Sequence, residues 1–253
     1  MLAFYMRRNH HGLPSTLRKP EVARAEHNAP YSLWPVTDWM MVTEREYTKI
    51  LYHGQYITDS ELSLGPSYPF TFYTRAEWRA QPPTHVQPFK QPVPYVVIHH
   101  TYIPAACHSL EDCAAKMRSM QKYHNGLDWG DIGYNFCVGS EGGAYEGRGW
   151  DTVGIHAGKA NQHSIGICLI GDWRVELPPA EQLETTKALI AEGVKLGKIS
   201  PDYKLVGHNQ FMQTECPGGA LSTEISTWDH FAPGKPDVTN LTDMTTAKTP
   251  GAK

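Results

Sequence analysis

The chain has 253 residues, a formal net charge of −3 from 23 Lys plus Arg against 26 Asp plus Glu, and 40% hydrophobic residues. That length fits one sizeable domain with extensions or two small ones, and the apolar fraction supplies a core, which excludes a wholly disordered chain. The balanced charge excludes the basic footprint of a nucleic-acid binder. No apolar run approaches the ~18 residues of a membrane helix, residues 93–98 and 167–170 being the longest, so no membrane span is expected.

In chain order, the first apolar stretch, Met1 to Met6, is short and precedes Arg7-Arg8, the reverse of a secretory signal, so none is read here. Residues 1–72 show no sustained period and read as a mostly irregular or disordered leader, with 44–56 as a candidate helix. From about Tyr73 the pattern changes. Residues 94–101 form a near-continuous β-branched and apolar run, the mark of a buried central strand. Ser109 to Asp112 resembles a capping box that opens an amphipathic helix carrying Leu110, Cys113, Ala114 and Met117, stopped at Asn125-Gly126. Residues 134–138 and 144–147, joined by a Ser-Glu-Gly-Gly turn, read as a hairpin. Residues 164–171 read as a second buried strand. Pro178-Pro179 opens a helix with Leu183, Leu189, Ile190 and Val194, closed at Gly197. A short strand over 204–208 and a third helical face with Leu221, Ile225 and Trp228 complete the pattern. The expected fold class is α/β: a single mixed β-sheet with about three packed helices over residues 73–231, flanked by flexible N- and C-terminal extensions. Residues 232–253 lack aromatics and read as a disordered tail with a sequon at Asn240.

Chemistry concentrates in the cysteines and in some of the 13 histidines. Cys107 and Cys113 sit six positions apart at a loop-to-helix junction, where a bridge is sterically plausible and worth about 2–2.5 kcal/mol in the chain-entropy view. Cys137 and Cys168 lie within strands among apolar neighbours and read as small buried hydrophobes. Cys216 stands in a Pro/Gly-rich loop and reads as a ligand, a nucleophile or an unpaired thiol. His208 precedes it by eight positions, and His99 ends the central strand. Two imidazoles and a thiolate suit Zn²⁺, and three protein ligands leave a fourth position open, as catalytic sites do. A strand-end histidine satisfied by hydrogen bonds is the plainer alternative.

Four segments together resemble the peptidoglycan recognition proteins, which share a fold with phage-type zinc amidases. They are Tyr-Val-Val-Ile-His-His-Thr at 95–101, Trp-Gly-Asp-Ile-Gly-Tyr-Asn-Phe at 129–136, Tyr-Glu-Gly-Arg-Gly-Trp at 145–150, and Gly207-His208 followed by Thr214-Glu215-Cys216-Pro217-Gly218. The insect LB type is the nearest in pattern, through Gly171-Asp172-Trp173-Arg174 as well. The resemblance implies a Zn²⁺ cofactor held by His99, His208 and Cys216. It implies catalytic roles for Tyr134, as a donor to the water or oxyanion, and more weakly for Thr214, which stands where the phage enzymes carry lysine. It also implies a Cys107–Cys113 disulfide. The implied reaction is hydrolysis of the amide between the lactyl group of N-acetylmuramate and L-alanine, with zinc activating water.

Substrate binding is implied for Trp129, Arg148, His156 and His100. In the family, a Gly-Trp pair and an Arg at the positions of Trp129 and Arg148 mark binders of meso-diaminopimelate, whose extra carboxylate an arginine grips bidentately. Asp128 departs from the usual glycine, as an acid able to repel that carboxylate or bridge Arg148. Pairing of Arg148 with Glu141 or Glu146 is the structural alternative. Trp150, Trp173, Trp228 and His230 read as packing and anchoring groups, and His124 and His163 as exposed. The partners implied are bacterial peptidoglycan and muropeptides, met by a monomer. Resemblance and disulfide imply an extracellular location, while the N-terminus leaves a cytoplasmic isoform open. A non-catalytic peptidoglycan receptor is the competing class, one whose members typically lack the cysteine ligand. A purely structural zinc domain is disfavoured by the three-ligand count.

Overall fold

The computed structural model describes residues 68–236 and the backbone of three strands between residues 39 and 57. The chain divides into two compact units, residues 1–67 and 68–253. In the first, β1 (Trp39–Glu44), β2 (Tyr47–Tyr52) and β3 (Gln55–Ile57) pair antiparallel in the order β1-β2-β3. This replaces the helix expected over 44–56. The β2 sequence Tyr-Thr-Lys-Ile-Leu-Tyr is aromatic and β-branched, and its residues favour a pleated surface once a partner strand is present. The expected irregular leader over 1–38 and tail over 237–253, with the sequon at Asn240, lie outside the described residues.

The second unit is built on a six-stranded mixed sheet in the order β4-β7-β6-β8-β5-β9. Its strands are β4 (Phe72–Tyr73), β5 (Val93–His100), β6 (Phe136–Val138), β7 (Ala144–Glu146), β8 (Ser164–Leu169) and β9 (Ile199–Gly207). The β6–β7 pair is the expected hairpin and is antiparallel; β6, β8, β5 and β9 run parallel to one another. Parallel strands are covered on both faces, which explains why β5 and β8 read as unbroken apolar runs.

The alternation along β5 separates two layers. Val96 and Ile98 join Leu189 and Ile190 of α2 (Ala180–Lys195), with Trp150, Trp173 and Trp228, in one core. Tyr95 and Val97 face the other side with Ala157 and Ala160. There α1 (Leu110–Asn125) packs Ala114, Met117 and Met120 against Trp78, Ile132 and Tyr145. The start of α1 is the expected cap: the Ser109 hydroxyl accepts from the Asp112 N–H at 3.3 Å. Two short helices follow β9, α3 (His208–Phe211) and α4 (Gly219–Ile225).

Three expectations are corrected. Cys137 and Cys168 are not free core fillers: they are register partners on β6 and β8, with Cα atoms 4.5 Å apart, joined by a disulfide. Each strand read alone gives no information on register. His124 is buried rather than exposed, its ring stacked 4.6 Å from Trp129 and its Nδ1 accepting from the Gly133 N–H at 3.0 Å. His163 is half-buried at the end of a 3-10 turn spanning Gly158–His163. A second disulfide joins Cys107 and Cys113. Among the described residues no helix is long and apolar enough to cross a membrane.

Candidate metal centre and substrate cleft

The two C-terminal ends of the neighbouring parallel strands β5 and β9 bring His99 and His208 together. Ile98 pairs with Gly207 in register, so the next residue of each chain is a histidine. Their rings lie 4.4 Å apart. His208 opens α3 rather than ending a strand, which turns its ring toward β5. Cys216 arrives on the loop after α3, held by its carbonyl accepting from the Asn209 N–H at 2.8 Å. The Thr214 hydroxyl accepts from the Cys216 N–H at 3.2 Å, so Thr214 braces this loop. The Cys216 Sγ lies 3.6 Å from His99 Nδ1 and accepts from the His100 N–H at 3.3 Å. One ligand atom each from His99, His208 and Cys216 falls within 4.8 Å of the others.

Burial sets the protonation of these groups. His99 is 1% exposed, and burial, followed by the neighbouring His208, holds its pKa well below the usual imidazole value. Burial and then His100 bring His208 down to about 4. Both imidazoles are therefore neutral at pH 7, with a lone pair to offer. The Cys216 thiol is pushed up to about 12 by burial, against which the His100 N–H works. A thiol so placed ionises when a cation replaces its proton.

A cleft of about 490 Å³ opens above this cluster, lined by Tyr134, His208, Cys216, His100, Tyr102 and Thr214 among others. The Tyr134 ring stands 5.2 Å from that of His99, and burial, then Cys216, raises the pKa of its hydroxyl. His100 faces away from His99, as adjacent strand residues do. Its Nδ1 accepts from the Trp173 N–H at 3.2 Å and lies 3.9 Å from Asp172.

Arg148 occupies a second pocket of about 190 Å³. Its guanidinium donates to the carbonyls of Ile132 at 2.7 Å, Trp129 at 2.8 Å and Val153 at 3.4 Å, so the pairing with Glu141 or Glu146 does not form. Asp128 makes no ion pair with it; Asp128 sits at φ 60°, a left-handed conformation that glycine adopts most readily and aspartate tolerates. Trp129 stacks on His124. His156 is 8% exposed and lies against His99 rather than on either cleft wall, its Nδ1 3.0 Å from His99 Nε2.

Residues assigned no site role from the sequence complete the surroundings. Asp131 receives Arg75 at 2.9 Å and Gln121 at 2.6 Å, tying the 129–134 loop to α1 and to the segment before β5. On the cleft rim Arg174 pairs with Asp172 at 2.8 Å and covers the Tyr102 ring at 4.5 Å. Their sequence signal was the polar Asp172-Trp173-Arg174 run directly after a buried strand.

The sequence pattern of the N-acetylmuramoyl-L-alanine amidase family matches residues 89–219. The chain is 53% identical over 159 residues to peptidoglycan-recognition protein LB of Drosophila melanogaster, covering 62% of this chain and 68% of that one. It is 42% identical over 163 residues to N-acetylmuramoyl-L-alanine amidase of Mus musculus, covering 63% of this chain and 31% of that longer protein. Among solved structures, peptidoglycan recognition protein-LE in complex with tracheal cytotoxin, a monomeric diaminopimelic acid-type peptidoglycan, superposes with a TM-score of 0.60. That match is at 44% identity and covers 64% of this chain and 96% of the other. With the strand order, the cleft and these similarities in agreement, the chain belongs to the N-acetylmuramoyl-L-alanine amidase family, in the fold of the peptidoglycan recognition proteins.

Proposed function

We propose that this chain is a zinc-dependent N-acetylmuramoyl-L-alanine amidase. It hydrolyses the lactyl-amide bond between glycan and stem peptide, prefers diaminopimelate-type peptidoglycan and, by destroying the elicitor, dampens innate immune signalling. The observation that carries the reading is the convergence of His99, His208 and Cys216, from β5, α3 and the following loop, beside an open cleft that His208 and Cys216 line. Two neutral imidazoles and one thiol that ionises on metal uptake fit a borderline-soft divalent ion with a remaining position for water or substrate. When bound there, zinc supplies Lewis acidity toward the scissile carbonyl and lowers the pKa of a coordinated water toward about 7.

The protein's own groups do the rest. Tyr134 stays protonated because burial raises its pKa, so its hydroxyl donates to the oxygen on which negative charge develops. Thr214 holds the Cys216 loop in place. Arg148 has three of its five N–H donors on backbone carbonyls, which fixes the guanidinium and leaves donors for a ligand carboxylate. The LE relative, which has diaminopimelic acid-type peptidoglycan bound, supports the same class of ligand here. Two disulfides support an oxidising, extracellular setting.

Mass spectrometry of muropeptides incubated with the protein tests the reading. Free stem peptide should appear, vanish on chelation and return with Zn²⁺. Cys216→Ser should lose both zinc and hydrolysis while keeping the fold and ligand binding. Undiminished hydrolysis in that variant, or hydrolysis that a chelator does not touch, contradicts the proposal. Binding without cleavage in the zinc-loaded wild type identifies a receptor instead.

A further inference from the structure

We infer that His156 is a positioning residue for the metal centre: it accepts the Nε2 proton of His99 and so fixes the tautomer and ring orientation in which His99 presents Nδ1 to the ion. The inference rests on the zinc reading above, and changes the role of His156 from groove contact to support of a ligand.

The geometry leads there in steps. His99 turns Nδ1 toward the cluster, 3.6 Å from the Cys216 Sγ, and Nε2 away from it, 3.0 Å from His156 Nδ1. A neutral imidazole carries one proton, so an Nδ1 that offers a lone pair leaves that proton on Nε2. The Nε2–H then needs an acceptor, because His99 is 1% exposed and a buried donor left unpaired is costly. His156 Nδ1 is that acceptor, which places its own proton on Nε2; that buried nitrogen has no hydrogen-bond partner among the described residues, and the Ser164 backbone is the group that favours a proton on this ring. The rings meet edge to face, at 89° with centroids 5.0 Å apart, as an in-plane N–H pointing at a neighbour's nitrogen requires. Metal-ligating histidines generally donate their second nitrogen to a carboxylate or carbonyl; here a second imidazole stands in that place. No acidic side chain pairs with His99 among the described residues.

The surroundings hold His156 for this task. Its backbone N–H and that of Ala157 both donate to the Asn161 side-chain oxygen, at 2.9 and 2.6 Å. Its ring lies flat on Gly166 of β8, where a Cβ would come within 2.6 Å of three ring atoms, and against Gly154, where a Cβ would come within 2.5 Å of Cδ2. Only glycine at these two positions leaves room for the ring beside His99.

Zinc affinity, measured by competition with a chromophoric chelator, tests the inference without reference to turnover. Asparagine carries its amide at the Nδ1 position and glutamine near the Nε2 position. His156→Leu should weaken zinc binding about 10–100-fold, His156→Asn should restore most of the affinity, and His156→Gln should not. Retained affinity in His156→Leu, or rescue by Gln and not Asn, overturns the inference while leaving the zinc reading intact. Failure of the wild type to bind zinc at all overturns the zinc reading itself. Should the Leu variant not fold, nitrogen-15 NMR of zinc-loaded wild-type protein decides. A coupling across the hydrogen bond between His99 Nε2 and His156 Nδ1 is expected, and a His99 proton found on Nδ1 refutes it.

Discussion

At the scale of single residues, the proposed function divides reacting and selecting between two side chains. In the proposed reaction Tyr134 is the donor to the developing oxyanion, and among the described residues its hydroxyl has no hydrogen-bond acceptor to give up. Tyr134→Phe removes one donor, and hydrolysis should fall about 10²–10³-fold with zinc affinity unchanged, a pairing read by turnover beside metal titration. Arg148 is fixed by the carbonyls of Ile132, Trp129 and Val153, so its planar fork is oriented before any ligand arrives. Arg148→Lys keeps the charge but loses the fork. The preference for diaminopimelate-type over lysine-type muropeptides should shrink about tenfold or more, measured as the ratio of kcat/KM values, since a bidentate charge-assisted pair is worth about 1.5–3 kcal/mol. Equal cleavage of the two substrate types by the wild type contradicts this role. Asp128 forms no ion pair with Arg148 and occupies a left-handed turn position.

At the scale of elements, the floor under His99 is a row of register partners. His99 on β5 faces Cys168 on β8, which faces Cys137 on β6. The Cys137–Cys168 disulfide therefore pins two parallel strands beside the candidate metal ligands and closes a loop of 31 residues, worth about 3.5–4 kcal/mol in the chain-entropy view. Replacing both cysteines with alanine should lower the unfolding free energy by about that amount in denaturant titrations, and a loss below about 1 kcal/mol argues against the bridge. The Cys107–Cys113 bridge closes only six residues and contributes less by the same reasoning. Both β5 and α1 were legible as segments: one from its apolar run, the other from its Ser109 cap and the spacing of Ala114, Met117 and their neighbours. The β2 strand was not, because Tyr47 to Tyr52 satisfies a helical window until antiparallel neighbours are supplied.

At the scale of the whole molecule, the fold brings uncharged imidazoles into its interior, and this makes stability depend on pH. His124 lies between Trp129 and the Gly133 N–H, and burial, then the Arg148 charge, lowers its pKa to about 4, with Asp131 opposing. Unfolded, it titrates near 6.5. Between those values the unfolded chain binds more protons, so this contribution is fully present above about pH 6.5 and is lost as pH falls toward 4. His124→Phe keeps the stacking and removes the titration. The slope of unfolding free energy against pH between 6.5 and 4 should be shallower in that variant than in the wild type, both measured under chelation, and identical slopes contradict the assignment.

The sequence by itself determined which segments fold and which chemistry they can carry. Apolar periodicity, the Ser109 cap and the turn residues are local properties, and the residue types of His99, His208, Cys216, Tyr134 and Arg148 stand in motifs a reader can match. Tertiary structure alone decided what meets what. The Cys137–Cys168 disulfide depends on strand register, and the stacking of His124 on Trp129 depends on how α1 docks. The pairing of His156 with His99 joins residues 57 positions apart across a sheet whose parallel order no local pattern encodes. Register and docking are set by the summed burial of two cores, so they become visible only when the whole chain is packed.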